Sequence, residues 1–285
     1  MKNTPKSKPF SGMTIDLWNG ENPVTLVKPH NSGRSADIWL GELNEEKVAV
    51  KIYRPKFDDG GIFEQSIERE YKVDCHDSRI VSCEKRGIIE YSKERWSYVL
   101  VMPFIDGECL TDIIRNNSLK PNQKIVVCKE IIIALLSLHE SKIIHGDLNP
   151  ANIVISKGGT KSNLVDFEFC VPVDDIQNIV DYPGRGTPGY IAPEVEHWGL
   201  KAITFSADIW SLGWILAETI NKDKLQEERN WKKFRDEHGS EVSMLKDWSS
   251  DLGEYIDDAI RRCVIINKKQ RIKLQEIMDV FDKKK

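Results

Sequence analysis

The chain is expected to fold as an α+β protein in which a β-rich part precedes a helical part. Three observations carry that expectation. Short runs of β-branched and aromatic residues dominate from Val24 to Met102. Helical spacing of apolar residues takes over after Phe104-Ile-Asp-Gly107. The length of 285 residues suits two mid-sized domains or one bilobal unit, with ample chain to bury a core.

The strand-like runs are Val24-Thr-Leu-Val27, Ala36 to Gly41, Val48 to Tyr53, Ile88 to Tyr91 and Ser97 to Met102. Gly61 to Asp74 interrupts them with Phe63, Ile67 and Tyr71 recurring every fourth residue, which predicts a helix with one apolar face. Helices are predicted next at Cys109 to Asn116, Asn122 to Glu140 and Ala207 to Ile220, with amphipathic stretches to the end. Between the last two, Ile153-Val-Ile155, a turn-rich Ser156 to Asn163 and Leu164-Val165 read as a β-hairpin. Residues 221–250, with Trp231 and Trp248, read as a solvated helical excursion packed through two tryptophans. Residues 1–20 are rich in Lys, Pro, Ser, Asn and Gly, so disorder is expected there and order from near Val24. The expected division is therefore 1–20, 21–103 and 104–285.

The 41 basic and 45 acidic residues leave a formal charge of −4, which offers no field for gripping a nucleic-acid backbone. Lys2, Lys6, Lys8 and Lys283 to Lys285 make both ends basic and are read as solvated tails. The six cysteines never form a Cys-x-x-Cys pair, so neither a zinc site nor a disulfide framework is signalled, and a reduced cytoplasm is the expected home. The first nine residues lack the apolar core of a signal peptide, and the longest apolar run, Ile125 to Leu138, is broken by Lys129 and Glu130. No membrane span is expected.

The most informative stretch is His145-Gly-Asp-Leu-Asn-Pro-Ala-Asn152 with Leu164-Val-Asp166-Phe-Glu168. A hairpin brings its ends together, so the Asn152 amide and the Asp166 carboxylate are able to share one hard cation such as Mg²⁺, with Asp147 just upstream. In Val48-Ala-Val-Lys51 a lysine ends an apolar strand, and an ammonium there needs a partner. Glu70 projects within about a sixth of a turn of the helix's apolar face and is the first choice, with Glu64 a substitute.

The order Val48-Ala-Val-Lys51, His145 to Asn152, Asp166-Phe-Glu168, Thr187-Pro-Gly-Tyr-Ile-Ala-Pro-Glu194 and Ser206-Ala-Asp-Ile-Trp-Ser-Leu-Gly213 resembles a eukaryotic-type serine/threonine protein kinase catalytic domain, from about residue 24 to 281. The resemblance implies a bilobal α+β fold, with a small β-rich N-lobe carrying one helix and a larger helical C-lobe. It implies ATP and Mg²⁺ as cofactors and a protein as substrate. Asp147 becomes the base for the acceptor hydroxyl, Asn152 and Asp166 the metal ligands, and Lys51 with Glu70 the phosphate clamp. Glu194 is expected to pair with Arg271, and Asp208 to anchor the catalytic loop. Gly33 would cover the phosphates, Pro103 and Ile105 would bond adenine through a carbonyl and an amide, and Ile38, Ala49 and Val154 would line its faces.

Four positions depart from the family pattern. Only Gly33 remains of three loop glycines in Asn31 to Ile38, which predicts a stiffer turn. Gly146 stands where many protein kinases have the arginine that receives an activation-loop phosphate. Residues 167–186 hold no Ser or Thr and only Tyr182 as a hydroxyl, so activity independent of loop phosphorylation is expected. Asn149 replaces a lysine and is expected to bond either the γ-phosphate or Thr187, itself expected to contact Asp147. Glu168 replaces a glycine and would either add a carboxylate near the metal or, as favoured, face solvent. Gly146, Asn149 and Glu168 also occur in relatives that phosphorylate small alcohols, and the depleted glycine loop suits a pseudokinase scaffold. Thr187 to Glu194 and Ser206 to Gly213, a peptide platform and its anchor helix, favour the protein kinase reading.

Overall fold

Runs of β-branched and aromatic residues in the first hundred positions pair into one antiparallel sheet. The computed structural model describes residues 8–20, 22–54, 62–92, 95–179, 186–225 and 229–283. The chain forms two units, one of Met1–Asp74 with Val81–Asp106 and one of Cys75–Ile80 with Gly107–Lys285.

In the first unit, strands β1 (Thr14–Ile15), β2 (Val24–Ser32), β3 (Ala36–Leu43) and β4 (Glu46–Tyr53) precede helix α1 (Ile62–Tyr71), and β5 (Lys85–Ser92) and β6 (Arg95–Pro103) follow it. The sheet order among the described residues is β1-β2-β3-β4-β6-β5. Asn44 and Glu45, at φ 51° and 69°, make the tight turn between β3 and β4. Register fixes the two faces. Ile38 lies opposite Lys51, Leu40 opposite Ala49, and Lys51 opposite Leu100, so these side chains share one face. Trp39, Val48, Val50, Ile52, Val99 and Val101 share the other and form a buried apolar core.

That core corrects the expectation that order begins near Val24. Met13, Ile15 and Leu17 are buried in it, β1 pairs with β2, and a 3₁₀ turn follows at Trp18–Gly20. The polar composition of residues 1–20 concealed three apolar side chains at strand period. Residues 1–7, including Lys2 and Lys6, lie outside the described residues, as do Lys284, Lys285, Gly61 and the side chain of Phe63. On α1 the buried positions are Ser66, Ile67 and Glu70, whereas Tyr71 is half-buried. The buried face is rotated from the apolar stripe toward Glu70 because a charge partner waits there.

The second unit opens with β7 (Gly107–Cys109), α2 (Leu110–Asn116), α3 (Pro121–Glu140) and β8 (Ile143–Ile144). Pro121 at the first position of α3 and the Lys120 N–H donating 3.0 Å to Gln123 Oε1 fix its start. Strands β9 (Ile153–Ser156), β10 (Ser162–Leu164) and β11 (Val171–Pro172) follow, then α4 (Pro193–Trp198) and α5 (Phe205–Asn221). The hairpin pairs Ile153 with Leu164, and the Val165 N–H donates 3.0 Å to the Asn152 carbonyl. Helix α5 is apolar nearly all round and buried on all sides, as such a pattern demands. The chain ends with α6 (Trp231–His238), α7 (Glu254–Cys263) and α8 (Leu274–Asp282). Within 221–250 the described residues hold only a 3₁₀ turn at Lys222–Lys224 and the short α6 as helix; Trp231 and Trp248 are both buried. No helix among the described residues is long and apolar enough to cross a membrane.

Candidate functional site

Strand β4 carries Lys51 to the face opposite the apolar core, where only 3 % of it remains exposed. Its Nζ lies 2.8 Å from each carboxylate oxygen of Glu70, itself 1 % exposed. Each charge alone would be too costly to bury, so the pair stands or falls together. Glu64, the substitute, instead accepts a hydrogen bond from the Tyr98 hydroxyl. Tyr53, two residues beyond Lys51 on the same face, donates its hydroxyl to Glu70 and places its ring 4.8 Å from the ammonium. Sequence reasoning missed Tyr53, although strand period from Lys51 was the signal that could have found it.

The turn between β2 and β3 is held in a way composition did not foretell. None of residues 31–36 adopts a positive φ. The Arg54 guanidinium instead donates 2.8 Å to the Gly33 carbonyl and 3.1 Å to the Ser32 hydroxyl, and the Ser32 hydroxyl donates 2.6 Å to Asp37. Ile38 and Ala49 are half-buried beside Lys51, Pro103 is exposed at the end of β6, and Ile105 follows half-buried.

In the second unit six predicted residues converge: Asp147, Asn149, Asn152, Asp166, Thr187 and Asp208. Asp208 on α5 receives the N–H of His145 at 2.8 Å, the N–H of Gly146 at 3.1 Å and His139 Nε2 at 2.8 Å. Burial alone would raise the Asp208 carboxyl, but its bonds to His139 and to the His145 backbone outweigh that and hold it below the usual carboxylate range. The loop so anchored bends at Gly146, with φ 75°. A Cβ there would sit 2.3 Å from the Phe169 carbonyl oxygen, so no side chain of any kind fits this backbone. The His145 ring is fully buried 5.1 Å from Phe167, and neither ring nitrogen has a hydrogen-bond partner. Burial pushes its pKa down and keeps it neutral.

Asp147 follows, and its Oδ1 is buried without a hydrogen-bond partner. Burial pushes this carboxyl up to about 6, the negative charge of Asp166 adds to the rise, and hydrogen bonds from Thr187 and Asn149 oppose it. The Asn149 amide is committed. Its Nδ2 donates 2.9 Å to the Asp147 carbonyl and 3.0 Å to Thr187 Oγ1, while its Oδ1 accepts from the Ala151 N–H at 2.9 Å. Thr187, one of its two expected partners, is thus within hydrogen-bond distance of Asn149. Asn152 Nδ2 donates 2.9 Å to the same Asp147 carbonyl, which leaves Oδ1 as the side-chain atom able to ligate a cation. Asp166 holds a left-handed φ of 63°, a conformation that Asp adopts more readily than most residues. The donor set offered by Asp166 and Asn152 is two hard oxygens, which fits Mg²⁺ bound largely by phosphate and water. Val154 is half-buried in the strand that leaves Asn152.

Glu168 does not face solvent: it is 4 % exposed, and its N–H points to Asp166 Oδ1 at 3.4 Å. The left-handed turn at Asp166 folds the segment inward and takes Glu168 with it. Tyr182 lies outside the described residues. Beyond it, the Thr187–Glu194 segment is fastened to the helices. Ser211 on α5 donates 2.8 Å to the Tyr190 carbonyl, the Tyr190 hydroxyl donates 2.7 Å to Glu218, and Glu194 accepts two bonds of 2.7 Å from Arg271. Arg229 joins this fastening through Glu218 and lies over the rings of Tyr190 and Trp214 at 4.9 and 4.4 Å. Its place between charged neighbours gave no sequence signal.

Residues 32–280 match the protein kinase domain family. The serine/threonine-protein kinase shk1/pak1 of Schizosaccharomyces pombe is 37% identical over 215 residues, 72% of this chain and 30% of that protein. The serine/threonine-protein kinase CLA4 of Candida albicans is 31% identical over 213 residues, 71% of this chain and 21% of that protein. The serine/threonine-protein kinase pkn2 of Myxococcus xanthus is 29% identical over 199 residues, 66% of this chain and 23% of that protein. This chain thus spans less than a third of the length of these curated relatives.

Proposed function

We propose that this chain, which belongs to the protein kinase domain family, transfers the terminal phosphoryl group of ATP to a serine or threonine hydroxyl of a protein substrate. The observation that carries the reading is Asp147: a carboxylate oxygen buried and unpartnered, beside Asn149 and Thr187, with Asp166 and Asn152 at the two ends of the adjacent hairpin. An unpartnered carboxylate oxygen in such a place is poised to take a hydroxyl proton.

The residues divide the work. Asp147 accepts the hydrogen bond of the acceptor hydroxyl and orients it for in-line attack. Asn149 and Asn152 both hold the carbonyl of Asp147, so two amides fix the base from behind. Lys51, held in place by Glu70, whose carboxylate Tyr53 also bonds, steadies the nucleotide phosphates. Asp166 and Asn152 would hold Mg²⁺, which supplies neutralisation of phosphate charge. Ile38, Ala49 and Val154 offer apolar contact to adenine, with the Pro103 carbonyl and the Ile105 N–H as its polar partners, and Gly33 offers backbone to the phosphates.

A protein rather than a small alcohol is favoured as acceptor by the Thr187–Glu194 segment, fastened at Ser211, Glu218 and Arg271. The named relatives are serine/threonine-protein kinases, which supports the same choice. Independence from loop phosphorylation is supported by the absence of Ser and Thr in 167–186 and by Gly146, where no arginine side chain fits. All six cysteines are free thiols, which suits a reducing cytoplasm. Transfer of radiolabelled γ-phosphate to peptide arrays and to small alcohols, with Asp147→Asn as control, tests the reading. Transfer to peptides by the parent chain alone supports it; none above the control makes the chain a scaffold.

A further inference from the structure

Residues 13–20 do more than extend the sheet. They reach both of its margins: β1 pairs with β2, and Leu17 bridges to Gly87 on β5. The crossing at β5 is tight, since a Cβ on Gly87 would meet the Asp16 carbonyl oxygen at 2.8 Å and Leu17 Cδ2 at 3.3 Å. Glycine at 87 thus lets the segment pass. Met13, Ile15 and Leu17 lie in the core on one face of the sheet, whereas Arg86, opposite Leu100 and hence in line with Lys51, projects on the other. The chain therefore turns round the edge strand and lays Trp18 over the Arg86 guanidinium, 4.7 Å from the ring centroid.

Arg86 is gripped from its second side by α1. Its guanidinium carbon lies 4.3 Å from the Tyr71 ring centroid and it forms an ion pair with Glu68, which also pairs with Lys72 at 3.2 Å. Glu68, Glu70 and Tyr71 occupy one turn of the same helix. A rotation or shift of α1 that withdraws Glu70 from Lys51 must pull Tyr71 off the guanidinium and Glu68 out of its ion pair. Two rings against one cation, with an ion pair beside them, oppose that displacement.

We propose that residues 13–20 form a built-in brace that holds α1 in the position where Glu70 meets Lys51, with Trp18 and Arg86 as positioning residues. This rests on the kinase reading for its catalytic consequence, and it gives that reading a regulation of its own. A chain with Gly146 and no Ser or Thr in 167–186 needs another means of setting α1, and this segment supplies one in cis. Whatever displaces Trp18 from Arg86 would lower activity without touching a reacting group.

The test uses the full chain and five forms: parent, Trp18→Ala, Trp18→Phe, Arg86→Met and Gly87→Val, with Trp96→Ala, an exposed tryptophan on β6, as control. Amide hydrogen exchange of α1 is read together with kcat and KM for ATP. Trp18→Ala, Arg86→Met and Gly87→Val should each speed exchange over 66–71 by about threefold and lower kcat by a similar factor, in keeping with loss of one partly exposed cation–π grip. Exchange in the β3–β4 ladder and in the second unit should stay as in the parent. Trp18→Phe should restore at least half of both effects, and Trp96→Ala should show neither. Unchanged α1 exchange in Trp18→Ala, no rescue by phenylalanine, or an equal effect from Trp96→Ala would overturn the brace. If the parent transfers no phosphate, the functional reading fails while the exchange measurement still decides the brace.

Discussion

Replacing Glu70 by glutamine keeps the shape of the side chain and removes its charge. The Lys51 ammonium, 3 % exposed, then has an amide oxygen in place of a carboxylate, while the Tyr53 hydroxyl loses its charged acceptor. Breaking one side of a buried pair costs about 3–5 kcal/mol. An upper bound arises independently: Lys51 escapes the penalty by shedding its proton, which at pH 7 costs about 4–5 kcal/mol for an ordinary amine. The two limits agree, so Glu70→Gln should destabilise β4 by about 4 kcal/mol at pH 7. Shedding a proton becomes easier by about 1.4 kcal/mol per pH unit, so the deficit should shrink as pH rises toward the ordinary lysine value. The sign is that of a base whose folded form prefers neutrality: stability is missing at low pH and returns at high pH. Native-state amide exchange of β4 between pH 7 and 9 measures it. In Lys51→Met/Glu70→Gln most of the deficit should vanish, because no charge remains to be stranded. A pH-independent loss under about 1 kcal/mol would refute the view that the pair is desolvated.

Gly146→Ala should lower the melting temperature by several degrees and abolish transfer, because a left-handed φ and a contact with the Phe169 carbonyl together cost roughly 2–3 kcal/mol, at about 2–4 °C per kcal/mol; calorimetry reads the first and γ-phosphate transfer the second. With the Asp147 carboxyl near 6, kcat/KM should fall tenfold per pH unit below about pH 6 and be flat above it. Thr187→Val should move that limb upward, because the Thr187 hydrogen bond opposes the rise; a limb that stays in place would exclude Asp147 as its source. Arg271→Met should strand the Glu194 carboxylate, 3 % exposed, and cost about 3–5 kcal/mol in urea unfolding, while Arg271→Met/Glu194→Gln should recover much of it.

The strands, α3, α5 and the hairpin were legible because each shows a period and ends in turn residues. Lys51, Asp147, Asn152 and Asp166 were legible through spacing, and helical geometry was enough to prefer Glu70 over Glu64. What escaped had physical reasons. Composition averaged over residues 1–20 hid Met13, Ile15 and Leu17, which matter by alternation and not by number. Glu168 looked solvent-facing because glutamate usually is, and only the left-handed turn at Asp166 shows why it goes inward. The loop with one glycine was read from its own composition, whereas Arg54 some twenty positions on bonds the Gly33 carbonyl, a long-range contact with no local trace. The 221–250 segment carried its anchors, Trp231 and Trp248, more legibly than its secondary structure, because buried aromatics do not require helix around them.

A sheet of this kind presents two margins whose backbone groups are free to pair with another chain. Here β1 pairs with the Val24–Thr25 end of the β2 margin, and the Leu17 bridge brings the same short segment against the β5 margin at Gly87. Residues that composition would have marked for trimming thus act as a stitch, catching each raw edge of the fabric at one point. A shortened chain beginning after Gly20 would uncover the Val24–Thr25 end of β2 and Gly87 on β5, together with the apolar side chains packed against Met13, Ile15 and Leu17. Such edges recruit strands from neighbouring molecules, so its first failure would be self-association rather than loss of chemistry.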